Sequence, residues 1–170
     1  DDLYNMVREG KWTLDSLAEI VKSVYQDLNG SGSADAGDRF GFINENDLMV
    51  EMFAYAAGVE VAPFNEEGVP TLTFTEDASE LIAFWDKMYP IRTHQYCLQV
   101  STADGNTNTQ SMENFMGGNV LFVPGFLFNT SNQLRDMEND YGVPPMPKQD
   151  EAQEKYISVS EALKMHKWDF

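Results

Sequence analysis

Leu14, Leu17, Val21, Val24 and Leu28 recur at alternating spacings of three and four, the seam of an amphipathic helix over residues 14 to 28. That seam runs straight into residues 27 to 38, DLNGSGSADAGD, where no large apolar side chain follows Leu28. A buried helix face must therefore give way within one turn to an oxygen-rich surface loop. Thr13 is the expected N-cap, Asp15 suits the positive end of the helix dipole, and Gly10 closes a short preceding helix carrying Leu3, Met6 and Val7.

The spacing of oxygens in the loop points to a metal. An EF-hand-type calcium loop takes ligands from positions 1, 3, 5, 7, 9 and 12 and needs glycine at position 6. Counted from Asp27, those positions hold Asp27, Asn29, Ser31, Ser33 (through its carbonyl), Asp35 and Asp38, with Gly32 at the turn. We expect these six residues to hold a structural Ca2+. Ser31 stands where an acid is usual and Asp38 is shorter than the usual Glu, which places the affinity at roughly 10⁻⁵ to 10⁻³ M, suited to extracellular calcium. The alternative reading is a solvated Asn/Gly/Ser turn.

A chain of 170 residues fits a single domain, 1–170, with a real core. Its 28 Asp and Glu against 11 Lys and Arg give a net charge of −17, which repels phosphate backbones and anionic lipid, so no nucleic-acid partner is expected. With eleven Phe, seven Tyr and three Trp it is too aromatic for a disordered acidic tail. Cys97 is the only cysteine, which excludes an internal disulfide and a thiolate cluster; His94 beside it reads as a packed neighbour. A mature secreted chain, a cytosolic one and an excised domain would share these features.

Further along, FGFI after Asp38 reads as a strand, and Asn46 or Asp47 caps a helix ending at Gly58. TLTF (71 to 74) alternates like a strand. Thr75, Glu76 and Asp77 open a helix with Leu81, Trp85 and Met88 on one face, stopped by Pro90. Residues 99 to 110 read as irregular, 112 to 116 as a short helix, VLFV as a strand, and PGF as a turn into a helix with Leu134 and Met137. YGVPPMPK must be extended. The order predicts an α/β or α+β fold, α-rich with a small sheet.

Motifs for catalysis are missing: no G-x-S-x-G, H-E-x-x-H or Walker-type sequence occurs, and acidic pairs such as Glu66 and Glu67 follow from composition alone. We expect no enzyme. PGFLFN (124 to 129) sets two Phe and an Asn around a turn, which suits carbohydrate, although Phe so placed is more often core.

The chain resembles the extracellular solute-binding proteins of family 1, receptors of ABC importers for sugars and related solutes. The resemblance rests on GKWT (10 to 13), DLNGSGSADAGDRFGF (27 to 42), FMGGNVLF (115 to 122) and LRDMENDYGVPPMPKQDEAQEKY (134 to 156), and covers roughly residues 3 to 158, leaving 158–170 outside the pattern. It implies one lobe, the second, of a two-lobed periplasmic-binding-protein-like fold. The cleft-facing residues it implies are Phe126 or Phe128 with Asn129, and Asn44 and Asn46 in the turn after the FGF strand. It also implies a sugar or oligosaccharide as solute, importer membrane subunits as partners, a monomer, and an extracellular or periplasmic lipoprotein. Two rivals remain: a calcium-stabilised docking module, since the loop is similar to dockerin loops that end in Asp, and a fragment of a polysaccharide-active hydrolase.

Overall fold

The computed structural model describes residues 2–35, 37–44, 47–73, 77–93, 95–100 and 107–158. Among these residues the fold is a small α/β unit of six helices around a three-stranded parallel sheet. In chain order the elements are α1 (Asp2–Arg8), α2 (Leu14–Val24), β1 (Phe40–Asn44), α3 (Asp47–Ala56), α4 (Ser79–Thr93), β2 (Cys97–Gln99), α5 (Thr107–Met116), β3 (Val120–Phe122) and α6 (Leu127–Ser131). The sheet order is β2-β1-β3, so the FGFI segment is the central strand. Phe42 pairs with Cys97 on one side and with Phe122 on the other. Parallel pairing needs crossover helices, and those helices cover the strand: Phe40 to Ile43 are all buried, as a run of FGFI requires.

Thr13 caps α2 as expected, its hydroxyl accepting from Ser16 N–H while Ser16 Oγ accepts from Thr13 N–H. The helix buries Leu14, Leu17 and Val21 against a core of Trp12, Phe42, Phe53, Phe84, Met88 and Ile91. It approaches β1 so closely that Gly41 lies directly against the Val21 backbone. The helix stops at Val24, one turn short of the expected Leu28, because Gln26 and Arg39 exchange backbone hydrogen bonds that tie the two ends of the acidic loop; Leu28 is exposed.

Four other expectations need correction. TLTF forms no strand over residues 71 to 73: Thr71 and Thr73 donate singly to Pro63 and Val61 carbonyls in an exposed loop, where alternation has no sheet to join. Pro90 does not stop α4 but lies inside it, because the turn beyond is anchored by buried Ile91 and by the Thr93 hydroxyl donating to Tyr89 O. The buried face of α4 is Phe84, Met88 and Ile91, so Trp85 points outward. After β3 four residues, 123–126, lead into the short α6, and Leu134, expected on a helix, is buried in the turns that follow.

The proline-rich segment has no helix or strand over 141–147 and closes the fold. Trp12 Nε1 donates to Pro145 O (2.8 Å), and Leu14 N–H and Lys148 N–H pair with Lys148 O and Trp12 O.

Candidate functional site

The acidic loop winds around its first carboxylate. Gly30 N–H donates to Asp27 Oδ1 (2.6 Å) and Gly32 N–H to Asp27 Oδ2 (2.9 Å), with Ser31 N–H at 3.3 Å from Oδ1. Gly32 has φ +76°, the left-handed conformation that the sixth position of such a loop demands. The second half closes on Asp35, which accepts from the Asn29 amide (2.8 Å), the Ser31 hydroxyl (3.0 Å) and Gly37 N–H (2.9 Å). The Asn29 amide chiefly, then Gly37 and Ser31, hold the Asp35 carboxyl below its ordinary pKa.

Asp38 turns inward. It is 2% exposed, and its oxygens accept from Leu28 N–H (3.2 Å), Asp35 N–H (3.1 Å) and the Tyr25 hydroxyl (3.1 Å). Desolvation, then the bond to Asp38, raises the Tyr25 phenol. The donor set of Asp27, Asn29, Ser31, Ser33, Asp35 and Asp38 is oxygen-rich, as a hard cation prefers, but each of its carboxylates already accepts from the loop's own N–H or O–H groups. Among the described residues no three carboxylate, His or Cys side chains are grouped to hold a metal.

The second candidate region lies at the carboxyl ends of the strands, where open α/β sheets bind ligands. The register that pairs Phe42 with Phe122 puts Asn44, ending β1, level with the turn after β3. Phe126 and Phe128 stack there, ring centroids 5.7 Å apart and 16° from parallel. Phe126 is half-buried and Phe128 is 52% exposed. Phe126 also lines an apolar cavity of about 380 Å³ with Trp12, Met112, Phe122 and Pro144.

Asn129 departs from its expected place on the open face. It is 1% exposed: its Oδ1 accepts from Phe126 N–H (2.7 Å) and its amide donates to Gln133 Oε1 (3.1 Å) and Asn108 Oδ1 (3.3 Å). A buried amide so committed shapes the start of α6 and, through it, the Phe pair. Asn46 lies outside the described residues, as does His94.

Asn44 lines a different cavity from Phe126, a groove of about 850 Å³ shared with Trp85, Tyr89, Arg92 and Gln99. These four were not expected from the sequence as site residues. Their signal was the spacing 85, 89, 92 on one helix face, which the apolar character of Trp85 disguised as core. Cys97, at the start of β2, is buried, and burial pushes its thiol up to about 12.

No protein-family model, characterised protein or solved structure matches this chain.

Proposed function

We propose that this chain is a solute-recognition lobe of a two-lobed ABC-importer receptor, extracellular or periplasmic and lipid-anchored, and that its solute is a carbohydrate. The observation that carries the reading is the Phe126–Phe128 stack, held half-open at the carboxyl end of a parallel sheet by a buried Asn129 cap. An aromatic ring left uncovered beside an apolar cavity suits the C–H face of a sugar and a partner lobe that closes over it. On this reading the described residues belong to one lobe, the affinity depends on closure, and nothing is turned over.

Titration of the chain with neutral oligosaccharides, followed by reducing-sugar release, tests it. Saturable binding without release, weakened by roughly 1 to 3 kcal/mol in Phe128→Ala, is the expected outcome. Hydrolysis that disappears on replacing one carboxylate would make the chain a fragment of a polysaccharide-active hydrolase instead.

The acidic loop has a second role in this reading, a structural Ca2+ staple remote from the solute. Support comes from Asp27 gathering the N–H groups of positions 4, 5 and 6 and from the left-handed Gly32. Calcium titration of chelator-stripped protein, repeated on Asp27→Ala, decides it. Heat of binding in the native chain alone is expected; none up to about 10 mM, beyond the weak extracellular range, sinks the staple.

A further inference from the structure

The cavity that Phe126 lines reaches from the open face of the Phe pair into the core. Leu17, Phe42, Phe53 and Met112, all buried, form its floor, and its exposed rim includes Leu121, Asp140, Tyr141 and Val143. Phe126 belongs to both places, since it stacks on Phe128 and lines the cavity. Donors around the wall are committed. Trp12 Nε1 donates to Pro145 O, the Asn129 amide to Asn108 and Gln133, Phe126 N–H to Asn129 Oδ1 and Val143 N–H to the Tyr4 hydroxyl (2.9 Å). Pro124, Pro144, Pro145 and Pro147 of the same wall have no N–H to offer.

That accounting selects a ligand class. A hydroxyl or carboxylate inserted into this wall meets donors already engaged, and a buried polar group without a partner is costly, so a sugar ring belongs on the outer face and not in the cavity. An apolar group meets no such penalty. Room is sufficient: a dry apolar cavity of about 150 Å³ takes a benzene ring, and this one measures about 380 Å³. Asp140 on the rim, in a chain of net charge −17, repels an anionic head and so favours a neutral group over an aryl carboxylate or a fatty acid.

We propose that the solute is a glycoside with a neutral hydrocarbon aglycone, aryl or short alkyl, whose sugar ring lies on Phe128 while the aglycone passes Phe126 into the cavity. The proposal rests on the solute-recognition reading of the Phe pair and names the part of the solute that the Phe face by itself leaves open.

Titrating the 170-residue chain, methyl-labelled at methionine, with matched phenyl and methyl β-glycosides of D-glucose, D-galactose and D-mannose, and with benzyl alcohol and phenylacetate alone, tests it by NMR. Within at least one pair the phenyl glycoside is expected to bind at least ~10-fold more tightly than the methyl glycoside, as burial of a ring's apolar area implies. The methyl signals of Met112, Met137 and Met146, which line the cavity, should move more than that of Met88, which does not. Val143→Trp and Leu121→Glu, two exposed changes at the rim that leave the core intact, should each erase the gain of phenyl over methyl. Equal binding within every pair, a phenyl gain with those three methionines unmoved, a gain unchanged in both rim variants, phenylacetate as tight as benzyl alcohol, or no phenyl glycoside bound up to about 10 mM would each overturn the proposal. Two outcomes separate it from the reading beneath it. Methyl glycosides that bind through Phe128 with nothing gained from phenyl leave the receptor reading standing while the aglycone fails. Benzyl alcohol that moves the three methionines while no glycoside binds overturns both, and leaves the cavity as a site for apolar molecules alone.

Discussion

Tyr25 and Asp38 meet across the ends of the acidic loop, the phenol at the C-cap of α2 donating to a carboxylate buried just before β1, at 3.1 Å. The same carboxylate also accepts from Leu28 and Asp35 N–H, so one side chain ties together the helix exit, the ninth position of the loop and the strand entry.

Removing that carboxylate takes the acceptor from three donors at once, on Tyr25, Leu28 and Asp35. Asp38→Ala is expected to destabilise the fold by about 2 to 4 kcal/mol, whereas Tyr25→Phe, which removes one donor and leaves the others paired, costs about 1 kcal/mol. Urea denaturation of both variants checks the order; equal losses would mean that the Tyr25 bond alone closes the loop.

Gly41 sits where α2 crosses the central strand. A methyl group there would collide with the Cα and carbonyl of Val21, so Gly41→Ala should cost at least about 2 kcal/mol. Because the obstacle is backbone, trimming the neighbour in Gly41→Ala/Val21→Ala gives no rescue. Recovery of the melting temperature in the double variant would place the collision in the side chain.

Asn129 and Phe128 should separate stability from recognition. Asn129→Ala removes the oxygen that receives Phe126 N–H and is expected to cost about 1 to 2 kcal/mol. Phe128→Ala forfeits only its stack on Phe126, under about 1 kcal/mol. Thermal melts of the pair test this, and a larger loss for Phe128→Ala would make that ring a packing residue.

Cys97 makes stability depend on alkaline pH. Burial raises its thiol from 9.0 to about 12 in the folded chain, so above pH 9 the unfolded chain gives up a proton that the folded chain keeps. Its contribution is whole below pH 9 and is lost progressively as the pH rises toward 12. Cys97→Ala should flatten the fall in stability over that window, and iodoacetamide at pH 8 should leave the native thiol unmodified until denaturant is added. Rapid native labelling would show the thiol to be accessible.

Local rules fixed much of what the chain does by itself. Thr13 capped its helix, FGFI became a covered strand, the oxygen spacing of 27 to 38 produced a loop wound on Asp27, and the prolines kept 141 to 147 out of any helix. Each follows from a periodicity, a cap or a fixed φ that acts within a few residues. Tertiary contact decided the rest. Whether Trp85 or Phe84 faced the core depended on where β1 lay against α4, and two apolar residues side by side on a helix carry no information about that. Pro90 stayed helical because Ile91 beyond it was worth burying, a gain its own backbone cannot signal. Asn129 went inward because the turn after β3 left an N–H at Phe126 to satisfy. Asn44, Arg92 and Gln99 became one cluster only when parallel pairing set the ends of β1 and β2 side by side, joining residues 44 and 99 that the linear chain keeps far apart.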